Sequence, residues 1–228
     1  MPLEGNGLSM SRPIALSIVV STFQRRAVLK RALDSLLDQR LPEGLRYEIV
    51  VVDNNCTDGT RDLVADSIRQ HPDRVRYAFE PRPGVSNGRN AGIRAARGEY
   101  VAFTDDDNVV TRNWVATIVD HLRSRTDVVG VGGKVLPEWP DETPRWLDRR
   151  HWSPLAILDY GDRPFCTSAR RPMCLLTANL AMRRDVLMRL GGFDPRFQRC
   201  QDHELLLRVW RGGGQVLYAP DMVTTAPV

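Results

Sequence analysis

Three consecutive aspartates, Asp105, Asp106 and Asp107, follow the apolar run "YVAF" and Thr104. Adjacent like charges repel one another and resist burial. A bound cation reverses that logic, because it favours the ionised form of every carboxylate beside it. Hard carboxylate oxygens suit Mg²⁺ or Mn²⁺, which share one or two protein carboxylates with the phosphates of a ligand. A calcium loop of the EF-hand type requires Gly at the sixth position and Glu at the twelfth. Counting from Asp105, those positions hold Val110 and Ala116, so that chemistry is excluded. A plain acidic turn is the bland alternative, although such a turn rarely follows a near-continuous apolar strand.

Other residues could join the aspartates. Asp53 ends the run "YEIVVVD" and can accept from a base N–H, or else organise the turn "CTDGT". Arg89 and Asn90 lie among Val85, Ala91, Ile93 and Ala95 at helical spacing, where the arginine either faces a ligand or is solvated. Asp202 opens "DHELLLRV", where it is a proton acceptor or a helix cap. Arg208 and Trp210, later in that segment, line a diphosphate or simply pack, and His203 reads as a surface or packing histidine. Neither G-x-x-x-x-G-K-[ST] nor G-x-G-x-x-G occurs, which removes the P-loop and dinucleotide alternatives. The phosphatases of the haloacid dehalogenase type remain a competing reading. Their D-x-D-x-[TV] fits "DDDNV" literally, with Asp105 as nucleophile, Asp107 as acid/base and Lys134 as the one downstream lysine.

The elements that must carry these residues alternate. The periodicity predicts strands over 15–22, 47–53, 74–80 and 99–104, with helices over 27–39, 58–70 and 84–97 between them. Short links between alternating elements imply an α/β fold with parallel strands and helices on both faces. In such sheets ligands sit beyond the carboxyl ends of the strands. Thr22, Asp53 and Asp105 to Asp107 all fall there, so one crevice should gather them. A helix over 113–124 and a strand over 127–136 follow, and residues 137–172 show no periodicity. Beyond them come a strand over 174–184, the short helix "DVLMRLG", the helix "QDHELLLRVWRGG" and the strand "QVLYAP".

The totals set bounds. The chain has 228 residues, enough for one large core. Its net charge of +4 rests on arginines spread along the whole chain, with only Lys30 and Lys134 as lysines, so nucleic-acid binding is not expected. No apolar run reaches the roughly 18 residues of a membrane helix. Residues 1–13 read as a flexible leader without signal-peptide character. Cys56, Cys166, Cys174 and Cys200 form no C-x-x-C and no zinc spacing, and are expected as reduced thiols in a cytoplasmic protein. The segment 138–152, with Trp139, Trp146 and Trp152 among arginines, is a flap over a ligand, a peripheral contact with an anionic membrane, or a loop packed on the domain.

The order of these motifs resembles the inverting family 2 glycosyltransferases of the GT-A fold, from about residue 15 to the end. It is carried by "SIVVSTFQRRAVLKRALDSLLDQ", "EIVVVDNNCTDGT", "PGVSNGRNAGIRAARGEYVAFTDDDN", "TANLAMRRDVLMRLGGFDPRF" and "QDHELLLRV". The resemblance implies a mostly parallel central sheet in one domain over 14–228, with a nucleotide-sugar half (14–125) and a smaller acceptor half (126–228). It implies a metal-dependent transfer of sugar from a nucleotide-diphosphate donor, with UDP as the family's habit, to a glycan, lipid-linked or small-molecule acceptor. Asp107 is then the ligand of Mn²⁺ or Mg²⁺ and Asp202 the catalytic base. Thr22, Arg25, Asp53, Arg89, Asn90, Asp105, Asp106, Asn179 and Arg208 are the substrate contacts. Two departures stand out: Gln201 replaces the usual Glu before the base, and Thr224 and Thr225 stand where members often carry a metal-binding histidine. A non-catalytic domain that binds sugar nucleotides would share most of these features.

Overall fold

A computed structural model describes residues 13–139, 152 and 155–228. The expected leader and the arginine–tryptophan segment therefore lie almost wholly outside the described residues.

The elements run β1 (Leu16–Thr22), α1 (Arg26–Leu37), β2 (Tyr47–Asp53), α2 (Thr60–Gln70), β3 (Val75–Phe79), α3 (Val85–Ala95), β4 (Tyr100–Phe103), β5 (Val109–Val110), α4 (Trp114–Ser124) and β6 (Gly130–Glu138). Then come β7 (Phe165–Thr167), a 3₁₀ turn (Thr177–Asn179), β8 (Leu180–Arg183), α5 (Arg184–Leu190), α6 (Gln201–Arg211) and β9 (Val216–Pro227). One sheet joins all the described strands in the order β3–β2–β1–β4–β8–β6–β9–β5, with β7 paired to β9. β1, β2, β3, β4, β6 and β9 run in one direction, and β5, β7 and β8 run against them. The sheet is thus mostly parallel, as expected, with β8 reversed between β4 and β6.

Period-two alternation divides the core between the two faces. Ile18, Val20, Ile49 and Val51 pack with Leu29, Leu33 and Leu36 of α1 and Trp114 and Ile118 of α4. Val19, Val50 and Val52 point the other way, toward Ile93 of α3, Leu187 of α5 and Leu205 and Leu206 of α6. Every residue of β2 is buried, which is why its sequence reads as a continuous apolar run.

Helix α3 carries two glycines that cost it about 1 kcal/mol each in helix propensity. Their use is close approach. A Cβ on Gly88 would lie 2.0 Å from Ser21 Oγ, and one on Gly92 would lie 2.2 Å from Val19 Cγ1. The helix therefore presses directly onto β1, and Arg89, between the two glycines, is held against the sheet.

The second half departs from the sequence expectation in detail. β7 forms within the stretch that shows no periodicity, because β9 supplies it with an edge. The expected strand over 174–184 is shorter and is preceded by the 3₁₀ turn. "MVTTAP" continues β9 and is no tail: Thr224 and Thr225 pair with Val110 and Val109 of β5, and β6 flanks them on the other side. Among the described residues no helix is long and apolar enough to cross a membrane.

Candidate functional site

The parallel register brings the carboxyl ends of β1 and β2 level, with Thr22 opposite Asp53. β4 pairs with the other edge of β1 and delivers the aspartates just beyond Phe103. A cleft of about 450 Å³ opens there, lined by Ser21, Thr22, Phe23, Arg25, Asn54, Pro83, Gly84, Val85 and Asp105 to Asp107. A larger hollow of about 710 Å³ adjoins it between the starts of α1 and α2, and Arg25 lines both. The smaller cleft holds the three carboxylates, and cation and phosphate chemistry needs those oxygens.

Each aspartate has a partner. Thr22 donates its hydroxyl to Asp106 Oδ2 at 2.7 Å. Arg25 reaches Asp106 Oδ1 at 3.1 Å with Nη1 and pairs with Asp107 through Nη2. Arg89 donates to Asp105 Oδ1 at 3.0 Å and lies over the Phe193 ring. Asp106 is 4% exposed. Burial raises its pKa to about 6; Asp107 and Asp105 push the same way, and the Thr22 hydroxyl and Arg25 oppose them. Thr104, buried just before the triad, has a hydroxyl with no hydrogen-bond partner among the described residues.

Among the described residues no group of three or more His, Cys, Asp or Glu side chains is arranged to enclose a metal. A cation such as Mg²⁺ or Mn²⁺ takes one or two carboxylates and completes its shell with phosphate and water oxygens. The donor set at the cleft, hard oxygens only, fits that chemistry. Thr224 is buried with a hydroxyl that has no partner among the described residues, and Thr225 donates to Val109 O at 3.4 Å. Both are strand residues within the sheet.

The other expected contacts are engaged by the protein. Asp53, 2% exposed, accepts from the Cys56 N–H at 2.7 Å and from the Tyr77 hydroxyl at 2.9 Å, so it shapes the loop after β2. Asn90 clamps Phe193, donating to its carbonyl at 2.7 Å and accepting from its N–H at 2.8 Å. Asn179 is fully buried: its Oδ1 accepts from Trp114 Nε1, and its Nδ2 donates to Lys134 O and Met222 O. Arg208 donates to Glu204 and to the carbonyls of Leu190 and Gly192. Asn90, Asn179 and Arg208 thus bind protein groups and do not line the cleft. Asp202 is the second residue of α6 and partly exposed, with Oδ1 accepting from the His203 N–H. The N-cap position is Cys200, which makes no side-chain capping bond, and Asp202 holds a first-turn amide from within the helix.

The phosphatase reading needs Lys134 at the aspartates. Its ammonium is instead held by Asp162 and Asp159. All four cysteines are free thiols.

Sequence reasoning missed Phe23, Asn54 and the 83–85 loop. Phe23 is 53% exposed and lines the cleft. Asn54 donates to the carbonyls of Glu80 and Arg82 and accepts from the Gly84 N–H, which fixes the loop across the cleft. The large aromatic in "STFQRR", placed directly after a strand end, was the signal available for Phe23.

Comparison with known proteins agrees with this architecture. The profile of glycosyl transferase family 2 matches residues 17–191. A glucosyl-dolichyl phosphate glucuronosyltransferase of Haloferax volcanii is 28% identical over 89% of the chain. The succinoglycan biosynthesis protein ExoM of Rhizobium meliloti is 27% identical over 93%. The chain spans 66% and 67% of those two proteins. A mannosyltransferase of Pyrobaculum calidifontis, solved with GDP-Man and Mn²⁺, superposes with a TM-score of 0.72 at 24% identity, over 95% of this chain and 57% of that one. With the family profile covering most of the sheet, both sides of the cleft and the aspartates themselves, the chain belongs to glycosyl transferase family 2.

Proposed function

We propose that this domain transfers a sugar, with inversion at the anomeric carbon, from a nucleotide-diphosphate donor to a hydroxyl of a glycan, lipid-linked or small-molecule acceptor. The observation that carries the proposal is the gathering of Thr22, Arg25, Asp105, Asp106 and Asp107 in one cleft at the carboxyl ends of β1 and β4, with Arg89 bonded to Asp105 from behind. Two arginines beside three aspartates, with an exposed aromatic ring alongside, suit a ligand with a flat base, a ribose and a charged diphosphate.

In this reading Phe23 offers its face to the base, and Asp105 and Asp106 meet the ribose. Asp107 would hold Mg²⁺ or Mn²⁺, which supplies Lewis-acid stabilisation of the leaving diphosphate. Asp202 takes the proton of the acceptor hydroxyl as that oxygen bonds to the anomeric carbon. The bond from that carbon to the diphosphate oxygen breaks in the same step, and its electron pair leaves with the diphosphate. Asp53 contributes through the loop it shapes, beside the base.

The named relatives support the donor and acceptor classes: one carries a glucosyl-dolichyl phosphate in its name, and one neighbour was solved with a GDP-sugar and Mn²⁺. UDP is the expected nucleotide. A thermal-shift panel of UDP-, GDP- and dTDP-sugars with and without Mn²⁺ tests this, since a ligand specific to the folded state raises its melting temperature. One nucleotide class should stabilise the protein, and more so with Mn²⁺. Release of nucleoside diphosphate should require an acceptor. Stabilisation by no nucleotide sugar would overturn the proposal, and tight donor binding without turnover on any acceptor would leave a binding domain.

A further inference from the structure

The two arginines at the aspartates are held differently. Arg89 is 8% exposed, lies over Phe193 and is pinned to β1 by its flanking glycines. The Arg25 side chain is 47% exposed, and among the described residues its guanidinium bonds only to Asp106 and Asp107. Its backbone is fixed. Gln24 before it takes a left-handed φ of 55°, and the Arg26 N–H after it is held by Asp58 Oδ2 at 2.8 Å. The side chain can therefore leave the carboxylates without any change in the fold. It also stands on the wall shared by the cleft and the 710 Å³ hollow, which gives it somewhere to go.

We propose that Arg25 is a resident counter-cation: it bridges Asp106 and Asp107 until a nucleoside diphosphate arrives with its divalent cation, then turns from the carboxylates onto the diphosphate. The inference rests on the metal-dependent reading of the cleft. A guanidinium across both carboxylates and a metal ion on Asp107 compete for the same lone pairs and the same negative potential. The metal alone therefore binds poorly, because it must displace a bound cation that has gained no new partner. With a diphosphate present the displaced guanidinium finds two phosphates, and the fork that matched two carboxylates matches them equally well. Nucleotide and metal thus bind together, and after transfer the return of Arg25 to Asp106 and Asp107 helps expel the metal–diphosphate product. Arg25 is on this account a positioning residue for the metal, acting by competition.

The test separates the two affinities. Binding of Mn²⁺ alone is titrated by the paramagnetic resonance signal of the free ion, and binding of UDP or GDP with Mn²⁺ by calorimetry, for the wild type, Arg25→Gln and Asp107→Asn. Arg25→Gln should bind Mn²⁺ alone about tenfold tighter and the Mn²⁺–nucleoside diphosphate about tenfold weaker. Opposite shifts in one variant are not produced by a loss of structure. If Asp107→Asn loses Mn²⁺ but Arg25→Gln binds it no tighter, the latch is wrong while the metal reading stands. If Asp107→Asn binds Mn²⁺ as the wild type does, the metal reading falls and takes the latch with it. If Arg25→Gln tightens Mn²⁺ and leaves the nucleotide complex unchanged, the turn onto the diphosphate is overturned. Should Arg25→Gln fail to fold, Arg25→Lys keeps the charge and loses the fork. It should tighten Mn²⁺ by a smaller factor, and no tightening overturns the proposal.

Discussion

The Thr22 hydroxyl donates to Asp106 Oδ2 at 2.7 Å, joining the last residue of β1 to the middle aspartate 84 positions later. Both are buried, and the bond opposes the burial that raises the Asp106 pKa. Thr22→Val keeps the shape of the side chain and removes the donor. It should lower stability by about 1–3 kcal/mol, the cost of a buried acceptor left unsatisfied. Chemical denaturation measures it; a change under a few tenths of a kcal/mol would show that the bond contributes nothing.

Asp202 lies in the first turn of α6 and accepts from the His203 N–H, a bond that Asn can also accept, so its two proposed roles separate. Asp202→Asn should keep the wild-type melting temperature and donor affinity, yet transfer sugar about 10²–10⁴-fold more slowly. Near-normal turnover with lowered stability would place the base elsewhere.

Asn179 is fully buried and bonds Trp114, Lys134 and Met222, which ties α4 to β6 and β9. Asn179→Ala strands an indole N–H and two carbonyls, and should cost about 2–4 kcal/mol. Nucleotide affinity of the folded protein should be unchanged. Weaker nucleotide binding at unchanged stability would restore the substrate-contact role expected from sequence.

Glu80 sits behind the cleft loop, held by Arg82 and Arg94, and its pKa falls to about 2, chiefly through the bonds from Arg82. Because the folded value lies below the ordinary 4.5, the interaction stabilises the fold above about pH 4.5 and is lost as pH falls from there through about 2. Glu80→Gln should therefore be less stable than wild type at pH 7, by about 1 kcal/mol for an ion pair whose cations reach into solvent. The two proteins should converge in melting temperature near pH 2; a constant gap from pH 7 to pH 2 would refute the ionic account.

The sequence alone carried the alternation of elements, the burial of β2, and the place of Thr22, Asp53 and Asp105 to Asp107 at the strand ends. It could do so because strand and helix periods are local, and because a parallel sheet puts its chain ends on one side. Family order added the wider assignment. What each polar side chain touches was settled in three dimensions. Asn90, Asn179 and Arg208 look like binding groups in one dimension, yet their partners are backbone groups and side chains up to 103 residues away in the chain. β7 and the extension of β9 likewise depend on an edge supplied by a distant strand. Buried amides and guanidinium groups must be satisfied wherever they lie, so the residue type announces a hydrogen-bonding need, and the fold alone settles whether protein or ligand meets it.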